Sequence, residues 1–153
     1  MALKYLTVQD ILWVNLQATH RVLHYDFAKL EEGTYYQYAY GPSADLGSQA
    51  AQFLLGFPGL KPLESGNAAT AFVAFATFVE INGYCLQLDD DEAASWYDNV
   101  IKANSPANIK SKITPCMPEV DAHADVVDVR SKVRAVIKRY PKTLKALIAP
   151  DCA

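Results

Sequence analysis

The sequence predicts an all-α domain, and three observations carry that prediction. Apolar residues recur at helical spacing in successive segments, one segment from Ala71 to Ile81 is apolar on almost every side, and Gly, Pro, Asn and Ser punctuate the intervals. A helix apolar all round, yet too short for a bilayer, belongs at the centre of a bundle. The 153 residues, 51% hydrophobic and 20% charged, suffice for one core.

Thr7 followed by Asp10 makes a capping box, and Val8, Ile11, Leu12, Leu16 and Leu23 share a stripe, so a helix is predicted over about residues 7–22. Next, Gly33 and Gly41 bracket TYYQYAY, whose aromatic content predicts an extended strand or flap. An exposed aromatic edge invites a strand from another chain, and packing half-buried against the bundle is the alternative. Pro42 and Ser43 open a helix with Leu46, Ala50, Phe53, Leu54 and Phe57 on one face, which Gly56, Pro58 and Gly59 close.

The apolar helix starts at Gly66 or Asn67 and stops at Asn82-Gly83. Asp89 and Glu92 then mark the cap of a helix bearing Ala93, Trp96, Tyr97 and Val100 on one face. The acids Asp89 to Glu92 complement its dipole; they lack the alternating spacing and turn glycine of a calcium loop. A short helix over Pro106 to Ile113 and an amphipathic one over Pro118 to Arg139 complete five to seven helices, with room for one small β-hairpin.

The net charge of -3 gives no global attraction to nucleic acid or to an anionic membrane. No apolar run reaches bilayer length, and Met1 to Asp10 lacks the pattern of a signal peptide, so no membrane partner and a cytoplasmic location are expected. Cys85, Cys116 and Cys152 show no CxxC spacing, and reduced thiols are expected. Acids Glu119, Asp121, Asp125 and Asp128 precede the bases Arg130, Lys132, Arg134, Lys138, Arg139, Lys142 and Lys145. This order suits a helix dipole and predicts a solvated face; nucleic-acid binding through this basic C-terminal segment is the alternative. His20 and His24 have the spacing of a one-faced metal site with Asp26 nearby, but no third ligand or HExxH pattern accompanies them. His123 stands among acids as a solvent-facing residue, and no Walker loop, nucleophile elbow or dinucleotide fingerprint occurs.

The most informative feature is the loop Lys61 to Asn67 at the mouth of the apolar helix. The first turn of a helix offers unpaired N–H groups, and Ser65, Gly66 and Asn67 would let an anion approach them. Serine and asparagine also cap ordinary helices. Taken with FVEINGY, DDDE and the opening KYLTVQDILWVNLQ, the stretch KPLESGNAAT resembles the motif of the Fic/Doc (death-on-curing) family. That motif reads His-Pro-Phe-x-(Asp/Glu)-Gly-Asn-(Gly/Lys)-Arg-Thr between two core helices.

The resemblance spans residues 3–113 and implies a Fic/Doc-like bundle around a buried central helix over 1–115, with a helical extension over 116–153 packed on it. It implies binding of ATP or another nucleotide with magnesium at Ser65, Gly66, Asn67 and Thr70. Lys61 falls at the family's general-base histidine, Ser65 at the magnesium-holding acid with Glu64 one residue away, and Ala68 and Ala69 at the (Gly/Lys)-Arg pair. An ammonium of ordinary pKa accepts no proton, and loss of base and guanidinium together removes several orders of magnitude in rate. The resemblance thus implies a pseudoenzyme that binds a protein partner, and a nucleotide or phosphate, without catalysis. An active Doc-type toxin transferring phosphate or AMP to a hydroxyl of a translation protein is one alternative, and an antitoxin-like or regulatory module is the other.

Overall fold

Helix α4, Asn67–Ile81, lies at the centre of the fold, with twelve of its residues buried. The computed structural model describes residues 3–22, 24–38, 45–116 and 128–148. Around α4 stand α1 (Val8–Thr19), α2 (Phe27–Tyr35), α3 (Leu46–Leu60), α5 (Ala93–Ala103), α6 (Pro106–Lys110), α7 (Val129–Arg139) and α8 (Pro141–Ile148). Strands β1 (Tyr84–Leu86) and β2 (Ile113–Pro115) form one antiparallel ladder, pairing Tyr84 with Pro115 and Leu86 with Ile113. The fold is mainly helical, with a small β ladder, as its periodicity predicts.

The all-round apolar sequence of α4 is explained by its neighbours, because α1, α3, α7, α8 and β1 all pack on it. Phe72, Phe75 and Phe78 are fully buried, and each contributes roughly 2–3 kcal/mol through removal of apolar surface from water. The one charged side chain of α4 is Glu80, which is 12% exposed and meets the Arg139 guanidinium of α7 at 2.7 Å. Burial alone would weaken that guanidinium's hold on its proton, but the Glu80 carboxylate outweighs it and raises the Arg139 pKa.

The C-terminal helices are joined to the same core. Tyr140 is fully buried, meets Phe72 edge-on at 5.1 Å and donates its hydroxyl to the Leu88 carbonyl at 2.8 Å. Its burial raises the phenol pKa. Helix α8, within the helical extension expected over 116–153, begins with Pro141, whose missing N–H costs nothing in a first turn. Its next two N–H groups, of Lys142 and Thr143, donate to the Asp90 carboxylate. The acid cluster thus caps α8 across the fold as well as preceding α5.

Five other expectations are corrected. The first helix ends at Thr19, since His20 turns left-handed with φ 57° and donates its N–H to the Leu16 carbonyl. The TYYQYAY strand does not form where it is described: Tyr35 closes α2, and Tyr38 stacks on Tyr5 with ring centroids 4.1 Å apart. Gly33, expected to bound that stretch, sits inside α2, where a Cβ would come within 2.7 Å of Phe57, so the glycine permits close helix packing. Helix α3 runs through Pro58 to Leu60, because the lost hydrogen bond is offset by full burial of Phe57. Cys85 and Cys116 are joined by a disulfide, contrary to the reduced-thiol expectation, because the β1–β2 ladder brings their Cα atoms to 5.4 Å. Residues 118–127, the first half of the predicted long helix, lie outside the described residues, as do His123 and Cys152.

Candidate functional site

The loop between α3 and α4 is held by the chain itself. Lys61 ends α3 in a left-handed conformation, φ 48°, with an exposed side chain. An extended segment, His24 to Asp26, then lies antiparallel to Pro62–Glu64: Asp26 N–H donates to the Pro62 carbonyl at 2.8 Å and Glu64 N–H to the His24 carbonyl at 2.9 Å. The backbone edge beside the loop is therefore occupied by residues of this chain. The Glu64 carboxylate accepts the His24 N–H at 3.1 Å, which ties it to the same clamp.

At the helix mouth the side chains are also engaged. Asn67 closes a ring on Leu63, its Oδ1 accepting the Leu63 N–H at 3.0 Å and its Nδ2 donating to the Leu63 carbonyl at 2.9 Å. Gly66 caps α4 with φ 74°, and a Cβ there would stand 2.6 Å from Thr19 Cγ2 and 3.2 Å from Asn15 Nδ2. Buried Asn15 donates from Nδ2 to both the Ser65 carbonyl, 3.1 Å, and the Thr70 hydroxyl, 3.0 Å. Sequence reasoning placed Ser65, Gly66, Asn67 and Thr70 together; it missed Asn15, the residue that binds two of them. An amide among the apolar positions of the α1 stripe was the available signal, since buried polar groups require partners.

These residues do not fit a magnesium–nucleotide site. Ser65 carries no carboxylate, Glu64 faces the His24 N–H, and Ala68 and Ala69 supply no charge for a phosphate. Gly66, Ala69 and Thr70 are buried, while Ser65, Asn67 and Ala68 remain half-exposed. What the mouth can do chemically is limited to polarising an anion through backbone N–H groups. His20 and His24 do not share a helix face, since α1 stops before either, and among the described residues no His, Cys, Asp and Glu side chains gather as a metal site.

A second feature adjoins the first through Asn15. Between α1, the residues Arg21, Val22 and Tyr25, and the start of α7 lies a cleft of about 430 Å³. Trp13 forms part of its wall, with the guanidinium carbons of Arg130 and Arg134 at 5.3 and 5.4 Å from the ring centroid. Two bases of α7 and α8 are held in ion pairs, Arg139 with Glu80 and Lys142 with Asp91, both at 2.7 Å, and the Lys142 pair lies at the surface.

Comparison with protein-family models, with curated proteins and with solved structures finds no match for this chain. Among the described residues, no helix is long and apolar enough to cross a membrane.

Proposed function

We propose that this chain is a non-catalytic, Fic/Doc-like binding protein, in which the loop before α4 serves the fold and the function is to hold a protein partner. The observation that carries the proposal is the closure of Asn67 on Leu63, both polar ends of the amide being spent on one backbone residue. Thr70 is likewise spent on Asn15. Phosphoryl and nucleotidyl transfer depend on positioned charge, and the positions that would supply it hold Lys61, Ser65, Ala68 and Ala69. A protein partner is favoured over nucleic acid because the chain carries a net charge of -3 and two of its C-terminal bases, Arg139 and Lys142, form ion pairs.

The test is label transfer. Purified protein, magnesium and ATP labelled at the α or γ phosphate are incubated in a cell lysate, and no protein should gain label above the level without this chain. A calorimetric titration with magnesium-ATP should likewise give no saturable heat. Label on a lysate protein that disappears with Lys61→Ala, at an exposed side chain, would establish an active transferase instead.

A further inference from the structure

Arg21 and Arg130 line the cleft formed by α1, Val22, Tyr25 and the start of α7, and among the described residues no carboxylate lines it. Among the described residues, neither guanidinium forms an ion pair. A second cleft, of about 490 Å³ between α3 and α6, is a direct contrast, because Lys110 in its lining is paired with Asp45 at 3.3 Å. In a chain of net charge -3, the α1–α7 cleft is a local reversal of sign.

Its apolar lining is as unusual as its charge. Six large hydrophobic side chains are exposed among the described residues, and three of them, Leu16 at 37%, Val22 at 93% and Tyr25 at 48%, belong to this cleft. Exposed apolar side chains gathered with a charged rim mark a contact surface, whereas single scattered ones carry no meaning. The Trp13 ring restrains Arg130 from below, so less side-chain freedom is lost when that guanidinium binds.

We infer that this cleft docks an acidic, amphipathic segment of a protein partner, whose apolar side chains cover Leu16, Val22 and Tyr25 while its carboxylates meet Arg21 and Arg130. A small-molecule site encloses roughly 70–90% of its ligand, and walls as open as these do not. A segment of chain covers such a surface and desolvates the guanidiniums as it does so, which is the condition under which an arginine–carboxylate pair gains strength and specificity. The inference rests on the protein-binding reading for the class of partner alone.

Peptide display against the immobilised full-length chain tests it. Selected peptides should be enriched in Asp or Glu beside Leu, Ile, Phe or Trp, and their binding should weaken with salt. Arg21→Glu and Arg130→Glu should each reduce affinity at least about tenfold, because each reverses a charge against a desolvated carboxylate. Val22→Ser, at a side chain almost wholly in solvent, should reduce it about three- to tenfold with the melting temperature unchanged. Failure to enrich any peptide, enrichment without acids, peptides that bind the charge-reversed variants equally well, or displacement of the peptides by ATP would each overturn the inference. The first three outcomes leave label transfer and the magnesium-ATP titration untouched and so are separable from failure of the non-catalytic reading, whereas displacement by ATP would count against both.

Discussion

Asp90 and Thr143, 53 positions apart, are joined three ways: the carboxylate accepts the Thr143 N–H and hydroxyl, both at 2.9 Å, and the Asp90 carbonyl accepts the same hydroxyl at 3.2 Å. A cap is usually supplied by the residue just before its helix. Here Tyr140 stands before α8 and cannot cap it, so an acid from the β1–α5 connection satisfies the first turn. This fixes the C-terminal helices against the domain that carries α4.

Asp90→Ala should therefore destabilise the fold by about 0.5–2 kcal/mol, the range for loss of a helix cap. Desolvation by the approach of α8 pushes the Asp90 pKa up, but the N–H groups of Thr143 and Lys142 and the Thr143 hydroxyl outweigh it and hold it below its ordinary value. The sign follows from linkage. Stability from a depressed carboxyl is complete above its unfolded pKa and is lost as pH falls through the folded one. Denaturant midpoints of wild type and Asp90→Asn should differ by a constant amount at neutral pH and converge in acid.

Gly66→Ala should cost about 1–3 kcal/mol, since a left-handed backbone disfavours any Cβ and this one would strike the Thr19 methyl group. Thr19→Ser removes that methyl and keeps the hydroxyl that donates to the Asn15 carbonyl. Thermal unfolding of the double variant should recover part of the loss, leaving the backbone term. Simple additivity of the two single losses would show that Thr19 does not crowd the site.

How far the fold could be read follows from the range of the forces involved. The centre of α4 was legible because an all-round apolar helix has one place to go, and the capping box at Thr7 and Asp10 is a purely local arrangement. Helix α2 was misread, for its aromatic residues favour strands by themselves and only packing of Gly33 on Phe57 shows that a helix is required. The cap of α8 was invisible for the same reason: no local pattern tells Asp90 that Thr143 is its neighbour. At the site, Ser65, Gly66 and Asn67 announced a helix mouth, but the groups that close it, Asn15, Thr19 and His24, come from α1 and the segment after it.

Tyr140 gives a graded test of whether the C-terminal helices share the core. Tyr140→Phe keeps the edge-on contact with Phe72 and leaves the Leu88 carbonyl without its donor, a loss of about 1 kcal/mol. Tyr140→Ala opens a cavity beside α4 and should cost about 3–5 kcal/mol. Both variants should unfold in one transition by circular dichroism and by the fluorescence of Trp13 and Trp96. Separate transitions would mean that α7 and α8 form their own unit.

Asn67 offers the sharpest distinction between a structural loop and a binding one. Asn67→Ala should lose about 1–2 kcal/mol, because the Leu63 N–H and carbonyl are both left without a partner in a half-buried place. Asn67→Asp is more informative, for a carboxylate still accepts from the Leu63 N–H but repels the Leu63 carbonyl. Its protonated form can donate to that carbonyl, so folding favours the protonated acid and raises its pKa. A raised carboxyl contributes stability below its unfolded pKa and loses it as pH rises through the folded one. Asn67→Asp should accordingly be less stable than Asn67→Ala at neutral pH and regain ground in acid, measured by urea unfolding across that interval. If the aspartate variant matched wild type at neutral pH, the ring on Leu63 would not be what holds the mouth of α4.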